Sequence, residues 1–292
     1  MTFLDRTRAA SSGAALTPRS GQVKRSRRLA VRAYRTQQRE FLVEGPQAVR
    51  VALALPSETQ PCLELYAGRS ATDRHDDLRG AAHEAGVSWT VVDDDVLAVL
   101  SDTVNPQGVI ARCRFVDVGI DELLTPAPAL LAVCADVRDP GNAGTVIRCA
   151  DAAGADGVVL TGNSVDPYNA KAVRASAGSI FHLKLTIAPD VSAVVAAARA
   201  GGLRVLAADA HADVDLDEAD ESGLLDTPTA WLFGNEAWGL PADVRRLADR
   251  VVNVPIHGRA ESLNLATAAA LCLYASARSQ RRVARDRSAT HG

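Results

Sequence analysis

Leu130, Leu131, Ala132, Val133, Cys134 and Ala135 form an unbroken apolar run. No other feature restricts the fold as much. A strand with one face in water alternates apolar and polar side chains, whereas a strand apolar at every position must be covered on both faces. Parallel sheets layered between helices provide that cover. The run leads into a turn at 136–144 that opens a helix running to Ala153, with Gly154 at its C-cap position. Further apolar runs at 157–160, 183–187, 204–207, 230–233 and 251–256 alternate with helical stretches at 169–177 and 191–200. A long alanine- and leucine-rich helix follows residue 263. The alternation predicts an α/β domain with a parallel sheet over residues 130–280.

The preceding residues repeat the pattern on a smaller scale. Strands are expected at 41–43, 62–67, 88–92 and 108–113, with a basic helix over 22–38 and others over 47–55, 76–85 and 94–100. Together they predict a small α/β domain at 21–116, joined to the second by a proline-containing linker at 117–129. Residues 1–20 lack periodicity and read as a disordered basic arm. The stretch 209–226 holds eight acids and no Lys or Arg, and reads as a loop with little regular structure. Beyond Ala275, five arginines against Asp286 predict a fraying helix end, with 281–292 as a basic tail.

Composition narrows the function. No apolar run approaches the roughly 18 residues of a membrane span, and the first residues lack the apolar centre of a secretory signal, so a cytoplasmic protein with no membrane partner is expected. Five scattered cysteines without a Cys-x-x-Cys, and six unclustered histidines, argue against a disulfide framework and against a metal site. The net charge of −3 hides an uneven distribution, because residues 1–50 carry eleven Lys and Arg against three acids. Arg25, Arg27, Arg28 and Arg35 sit in that stretch and are candidates for contact with phosphate, a solvated arginine-rich surface being the alternative.

Three polar loops follow expected strand ends, at 136–144, 234–240 and 257–264. Ligands in open α/β sheets bind beyond the carboxyl ends of strands, so these loops should converge on a site. None is a Gly-x-Gly-x-x-Gly or Walker loop, and there is no Gly-x-Ser-x-Gly, which leaves dinucleotide binding, nucleotide hydrolysis and serine hydrolysis unsupported.

The stretch from Asn142 through Arg148 to Ala150, the stretch from Phe233 through Gly234, Asn235, Glu236 and Gly239 to Leu240, and the stretch from Val254 and Ile256 to Ser262, Leu263 and Asn264 resemble, in order, the three motifs of the SpoU (TrmH) family. Upstream, Phe41 to Gly45 and Ser101 to Gly108 resemble its N-terminal substrate-binding domain. The resemblance covers nearly the whole chain. It implies a SPOUT-type α/β domain with a deep trefoil knot after a smaller L30e-like domain, an outcome that periodicity does not reveal. It implies an S-adenosyl-L-methionine-dependent RNA 2′-O-ribose methyltransferase, with 23S ribosomal RNA as the favoured substrate, and a homodimer whose site is completed across the subunit interface. Transfer RNA is the alternative substrate, and a non-catalytic RNA-binding assembly protein the alternative class.

The resemblance also assigns roles. Gly234, Val254, Ile256 and Leu263, with Leu232 and Asn235 beside them, match cofactor-binding positions; Val254 and Leu263 would otherwise read as core. Arg148 matches the arginine of the first motif. A guanidinium is a permanent cation in proteins, which favours phosphate binding and charge stabilisation over a role as base. Asn142 would orient the ribose or Arg148. Glu236 would pair with Arg148 or anchor its loop. Ser262 and Asn264 would contact ligands or cap the last helix. The family often has glycine after the second-motif glutamate, where this chain has Ala237 and Trp238.

Overall fold

In the computed structural model, which describes residues 15–212 and 214–290, the strands form two sheets. The first domain runs through α1 (Gly21–Arg28), α2 (Arg32–Gln38), β1 (Glu40–Glu44), α3 (Pro46–Leu53), β2 (Cys62–Gly68), α4 (Arg69–Arg74), α5 (Asp76–Glu84), β3 (Ser88–Val92), α6 (Asp94–Leu100) and β4 (Val109–Arg114). Its sheet has the order β1-β4-β2-β3; β4 is antiparallel to β1 and β2, and β3 is parallel to β2.

One long basic helix was expected over 22–38, and there are two. The chain breaks at Leu29–Val31, where Val31 is extended and Leu29 is buried. Arg35 accounts for the break. Its Nη1 donates to the carbonyls of Leu29 and Ala30, at 2.7 and 2.8 Å, taking the acceptors that a continuous helix would have used internally.

The second domain follows α7 (Ile120–Leu123) with β5 (Leu130–Ala135), α8 (Pro140–Ala153), β6 (Gly157–Thr161), α9 (Ala170–Ser176), β7 (Lys184–Ala188), α10 (Val191–Ala200) and β8 (Arg204–Ala208). It continues with β9 (Val214–Asp215), α11 (Leu216–Glu221), β10 (Thr229–Phe233), α12 (Ala242–Arg245), β11 (Arg250–Asn253) and α13 (Leu265–Thr290). The seven strands run in the order β7-β6-β5-β10-β8-β11-β9, and every pair is parallel. Alternate residues of β5 and β10 enter two cores. Leu130, Ala132, Cys134, Trp231 and Phe233 pack with α8 and α13, while Leu131, Val133, Ala230 and Leu232 pack with α10 and Val244 of α12. That double burial is why β5 and β10 carry no polar face.

The acidic stretch is not the irregular loop expected from its charge. It contains β9 and α11, whose Leu216 and Ala219 are buried. The helix α13 does not fray after Ala275 either, because it continues to Thr290. The two segments hold each other in place. Arg278 and Arg282 on α13 meet Asp220 at 2.6 and 3.1 Å, and Arg281 donates to the carbonyl of Ala153 at 2.8 Å. The expected N-terminal arm lies mostly outside the described residues.

The two domains share an aromatic and ionic seam. Tyr168 stacks on Phe115 with ring centres 3.7 Å apart and lies 4.7 Å from Phe41. Its hydroxyl donates to Asp117 at 2.7 Å and accepts from the N–H groups of Val116 and Asp117. Beside it, buried Arg35 pairs with buried Asp166 at 2.6 Å.

Candidate active site at the carboxyl edge of the parallel sheet

The register of β10 on β5 pairs Phe233 with Cys134, so the loops leaving the two strands start side by side. Glu236 joins them. One carboxylate oxygen accepts the N–H of Arg138 at 3.2 Å, and the other accepts the N–H of Asp139 and the side-chain amide of Asn142, each at 3.1 Å. Asn235 adds a second tie, donating from Nδ2 to the carbonyl of Asp136 at 2.8 Å. The third loop is drawn in by Asn264, whose Nδ2 donates to Oδ1 of Asn142 at 3.0 Å. The three motifs therefore meet through polar side chains, as loops beyond the strand ends were expected to do.

The local backbone explains the residue types. Asn235 and Gly239 exchange both main-chain hydrogen bonds at 2.9 Å, closing a tight loop around Glu236. A Cβ on Gly234 would lie 2.3 Å from the carbonyl carbon of Gly239, so only glycine permits that closure. Asp139 caps α8 by accepting the N–H of Asn142 at 2.8 Å, and it binds Lys171 of α9 at 2.8 Å. Asn264 caps α13 through the N–H of Ala266 at 2.9 Å.

Electrostatics keep the junction charged. Partial burial raises the pKa of Glu236, but hydrogen bonds from the Asn142 amide and from main-chain N–H groups, including those of Arg138 and Asp139, hold it below its ordinary value. Asp139 is also lowered, chiefly by Lys171 and then by the N–H of Asn142. Both side chains are anchors in this geometry.

The remaining expected residues divide. Val254 is half-buried against the core, whereas Ile256 and Leu263 are each 37 % exposed beside the loops. Leu232 is fully buried in the core on the far side of the sheet, and its strand pairs with both β5 and β8. Its side chain serves packing. Ser262 is exposed and makes no hydrogen bond among the described residues, so the cap falls to Asn264 alone.

Arg148 lies six residues beyond Asn142, about 9 Å along the helix. Its side chain is exposed, with no hydrogen bond or ion pair among the described residues, and the expected pairing with Glu236 does not form within this chain. Arg25, Arg27 and Arg28 are exposed on or beside the first helix. Arg35 is not available to RNA. It is 4 % exposed and committed to Asp166 and two carbonyls, because a buried guanidinium requires compensation at every donor.

Sequence reading missed Asp136, Asp139 and Lys171. Asp139 had a legible signal, an aspartate immediately before a Pro-Gly helix start; the Asp136 carbonyl and Lys171 act through contacts that no spacing predicts. Among the described residues, no group of three or more His, Cys, Asp or Glu could hold a metal ion. No helix there is long and apolar enough to cross a membrane.

A parallel α/β sheet that gathers these three loops at its carboxyl edge, behind a small mixed-sheet domain, has the architecture of the SPOUT methyltransferases. The chain belongs to the SpoU rRNA methylase family, whose sequence model matches residues 129–274. Residues 21–111 match the MRM3-like substrate binding domain. The 23S rRNA (guanosine(2553)-2′-O)-methyltransferase RlmP of Bacillus subtilis is 32 % identical over 253 residues, covering 87 % of this chain and 94 % of that protein. Among solved structures, the AdoMet-bound rRNA methyltransferase from Sinorhizobium meliloti superposes with a TM-score of 0.76 at 29 % identity, covering 91 % of this chain and 97 % of that one. The SpoU methyltransferase AviRb from Streptomyces viridochromogenes, in complex with the cofactor AdoMet, gives 0.75 at 31 % identity, covering 91 % and 100 %.

Proposed function

We propose that this protein transfers a methyl group from S-adenosyl-L-methionine to a ribose 2′-hydroxyl of 23S ribosomal RNA, acting in the cytoplasm as a homodimer. The observation that carries the reading is the Glu236 junction, which ties the three family motifs together through Arg138, Asp139 and Asn142 and, through Asn142, Asn264. The names of the relatives support the ribosomal substrate. In this reading residues 21–116 bind RNA, 117–129 link, 130–280 carry catalysis, and 281–292 form a basic extension. The trefoil knot belongs to the same reading, supported by the match to the family model.

The residues present fit the cofactor. Gly234 and Asn235 supply closely approached backbone, Val254, Ile256 and Leu263 supply apolar surface, and Asn253 offers a buried Oδ1 with no hydrogen-bond partner just before Val254. S-adenosyl-L-methionine supplies an electrophilic methyl group on its sulfonium. Asn142, held by Glu236 and Asn264, orients the ribose. The free guanidinium of Arg148 binds the adjoining phosphate and offsets negative charge growing on the 2′-oxygen. Its place six residues beyond Asn142 on α8, without a pairing to Glu236 within this chain, supports a site completed by a second subunit, and exposed Leu271 and Tyr274 on α13 support an apolar contact between copies.

The test is methyl transfer from labelled S-adenosyl-L-methionine to total RNA from a strain lacking the gene. Acid-stable label in a 2′-O-methylnucleotide of 23S RNA is expected; label in a base, or only in transfer RNA, overturns the assignment. Light scattering of the purified protein should give twice the chain mass, and a monomer would remove the shared site.

A further inference from the structure

Between the two domains lies a cleft of about 810 Å³, bounded by α1 and α6 on one side and by α9 on the other. That volume is within the range of about 300–1,000 Å³ that small-molecule sites occupy. Its walls differ in chemistry. Leu29, Leu42, Val99 and Ile110 make an apolar chamber, while Lys24, Arg27 and Arg28 stand along the rim. The Arg28 guanidinium lies 4.0 Å over the Tyr34 ring, and the side chains of Lys24 and Arg27 have no hydrogen bond or ion pair among the described residues.

Arg174 enters from the opposite wall. Its Nη2 donates to Asp102 at 3.4 Å, but its Nη1 is buried with no hydrogen-bond partner. A carboxylate oxygen of Glu44 lies 4.0 Å away, and that group already accepts from Ser101 at 2.8 Å and Thr103 at 2.7 Å. A buried donor without an acceptor is costly, and this one belongs to a side chain that lines the cleft. One helical turn earlier on α9, Lys171 binds Asp139, the cap of the helix that carries Asn142 and Arg148. The cleft and the candidate active site thus share α9.

We propose that this cleft is a second nucleotide subsite, in which an unpaired nucleotide of the RNA substrate places its base in the apolar chamber. Its phosphates meet Lys24, Arg27 and Arg28, and the Nη1 of Arg174 donates to the nucleotide. Proteins hold single-stranded RNA by pairing cations along the backbone with contacts to the faces and edges of the bases. The inference rests on the RNA methyltransferase reading.

Two variants test it, with a 23S rRNA transcript as the probe. Ala98→Trp fills the chamber from an exposed position of α6. Lys24→Ala/Arg27→Ala removes two rim cations. Each should raise the KM and Kd for the transcript about tenfold or more, with S-adenosyl-L-methionine affinity and kcat at saturating RNA preserved. The double variant should also reduce the salt slope of binding by about one per cation removed. Unchanged RNA affinity in both variants, with a wild type that methylates the transcript, overturns the subsite and leaves the enzymatic reading standing. Loss confined to the double variant, with a folded Ala98→Trp protein that binds normally, reduces the cleft to a basic surface and also overturns it. A misfolded Ala98→Trp protein shifts the decision to cross-linking of a 4-thiouridine-substituted transcript, where adducts that all lie outside the cleft overturn the subsite. A wild type that binds cofactor but methylates no ribosomal RNA defeats the underlying reading instead.

Discussion

The side-chain amide of Asn264 donates to the Oδ1 of Asn142 over 3.0 Å, joining residues 122 positions apart in the chain. The same Asn264 accepts the N–H of Ala266 as the cap of α13. The two functions separate by substitution. Asn264→Ala removes both and should lower stability by about 1 kcal/mol for the lost cap. Asn264→Asp keeps the capping oxygen but removes the donor to Asn142. Its urea midpoint should match the wild type while methyl transfer falls. Full activity in the aspartate variant would show that the bridge is dispensable.

Arg35 and Asp166 test whether the N-terminal basic stretch is one functional unit. Both side chains are more than nine-tenths buried, and removing one member of such a pair typically costs about 3–5 kcal/mol. Arg35→Ala should lower the first unfolding transition accordingly and expose the domain seam to proteolysis. Arg35→Met/Asp166→Asn should recover much of the loss, since the asparagine can still accept the N–H of Tyr168 that Asp166 now holds at 2.9 Å. Normal stability with weakened RNA binding in Arg35→Ala would reverse the structural assignment.

Glu236 makes the junction pH-dependent in a defined direction. Its folded pKa lies below the ordinary 4.5, because hydrogen bonds to the carboxylate outweigh the effect of burial. A depressed folded pKa stabilises the fold above the unfolded value, and that contribution disappears as pH falls through the folded value. The difference in urea midpoint between wild type and Glu236→Gln, followed from about pH 7 to pH 3, should be constant at first and close on the acid side. A difference that persists undiminished in acid would mean that the carboxylate charge does not hold the loops.

Gly234 and Gly144 are limited by main chain, which cannot move aside as a side chain would. A Cβ at either position meets main-chain atoms, the Gly239 carbonyl carbon or the Ala172 oxygen, at 2.3 Å. Gly234→Ala should spoil the closed loop and lose cofactor affinity in calorimetry. Gly144→Ala should instead separate α8 from α9 and lower thermal stability. Wild-type cofactor binding in Gly234→Ala would show that the loop tolerates opening.

Local pattern carried the architecture a long way, since the runs at 130–135 and 230–233 are apolar on both faces and could only be buried strands. It failed where long-range partners decide the outcome. The acids of 209–226 concealed α11, because Asp220 and Asp226 answer the arginines of α13 and a reading of either segment alone sees unpaired charge. Arg35 looked like its exposed neighbours Arg27 and Arg28; only a partner 131 residues away distinguishes it. The site motifs were legible through family resemblance, yet the junction that unites them was not. Glu236 meets main-chain N–H groups, which carry no residue signature.

Arg148 decides how the chemistry is divided. It is exposed and has no partner among the described residues, so it contributes little to folding, and Arg148→Ala should leave the melting temperature and S-adenosyl-L-methionine affinity unchanged. If its guanidinium offsets charge on the 2′-oxygen, turnover should fall by about 10²–10³-fold, the usual loss when one such donor is removed. Arg148→Lys retains the charge but not the planar fork that grips a phosphate from two nitrogens, and it should recover only part of the rate. A lysine variant as slow as alanine would assign the role to geometry, and an alanine variant with near-normal turnover would remove Arg148 from the mechanism. Mixing Arg148→Ala with an inactive Asn142→Ala/Glu236→Ala variant separates the remaining possibility. If one subunit supplies Arg148 to a junction built by its partner, the mixed dimers should regain activity that neither variant has alone; if both come from one chain, no mixture should restore it.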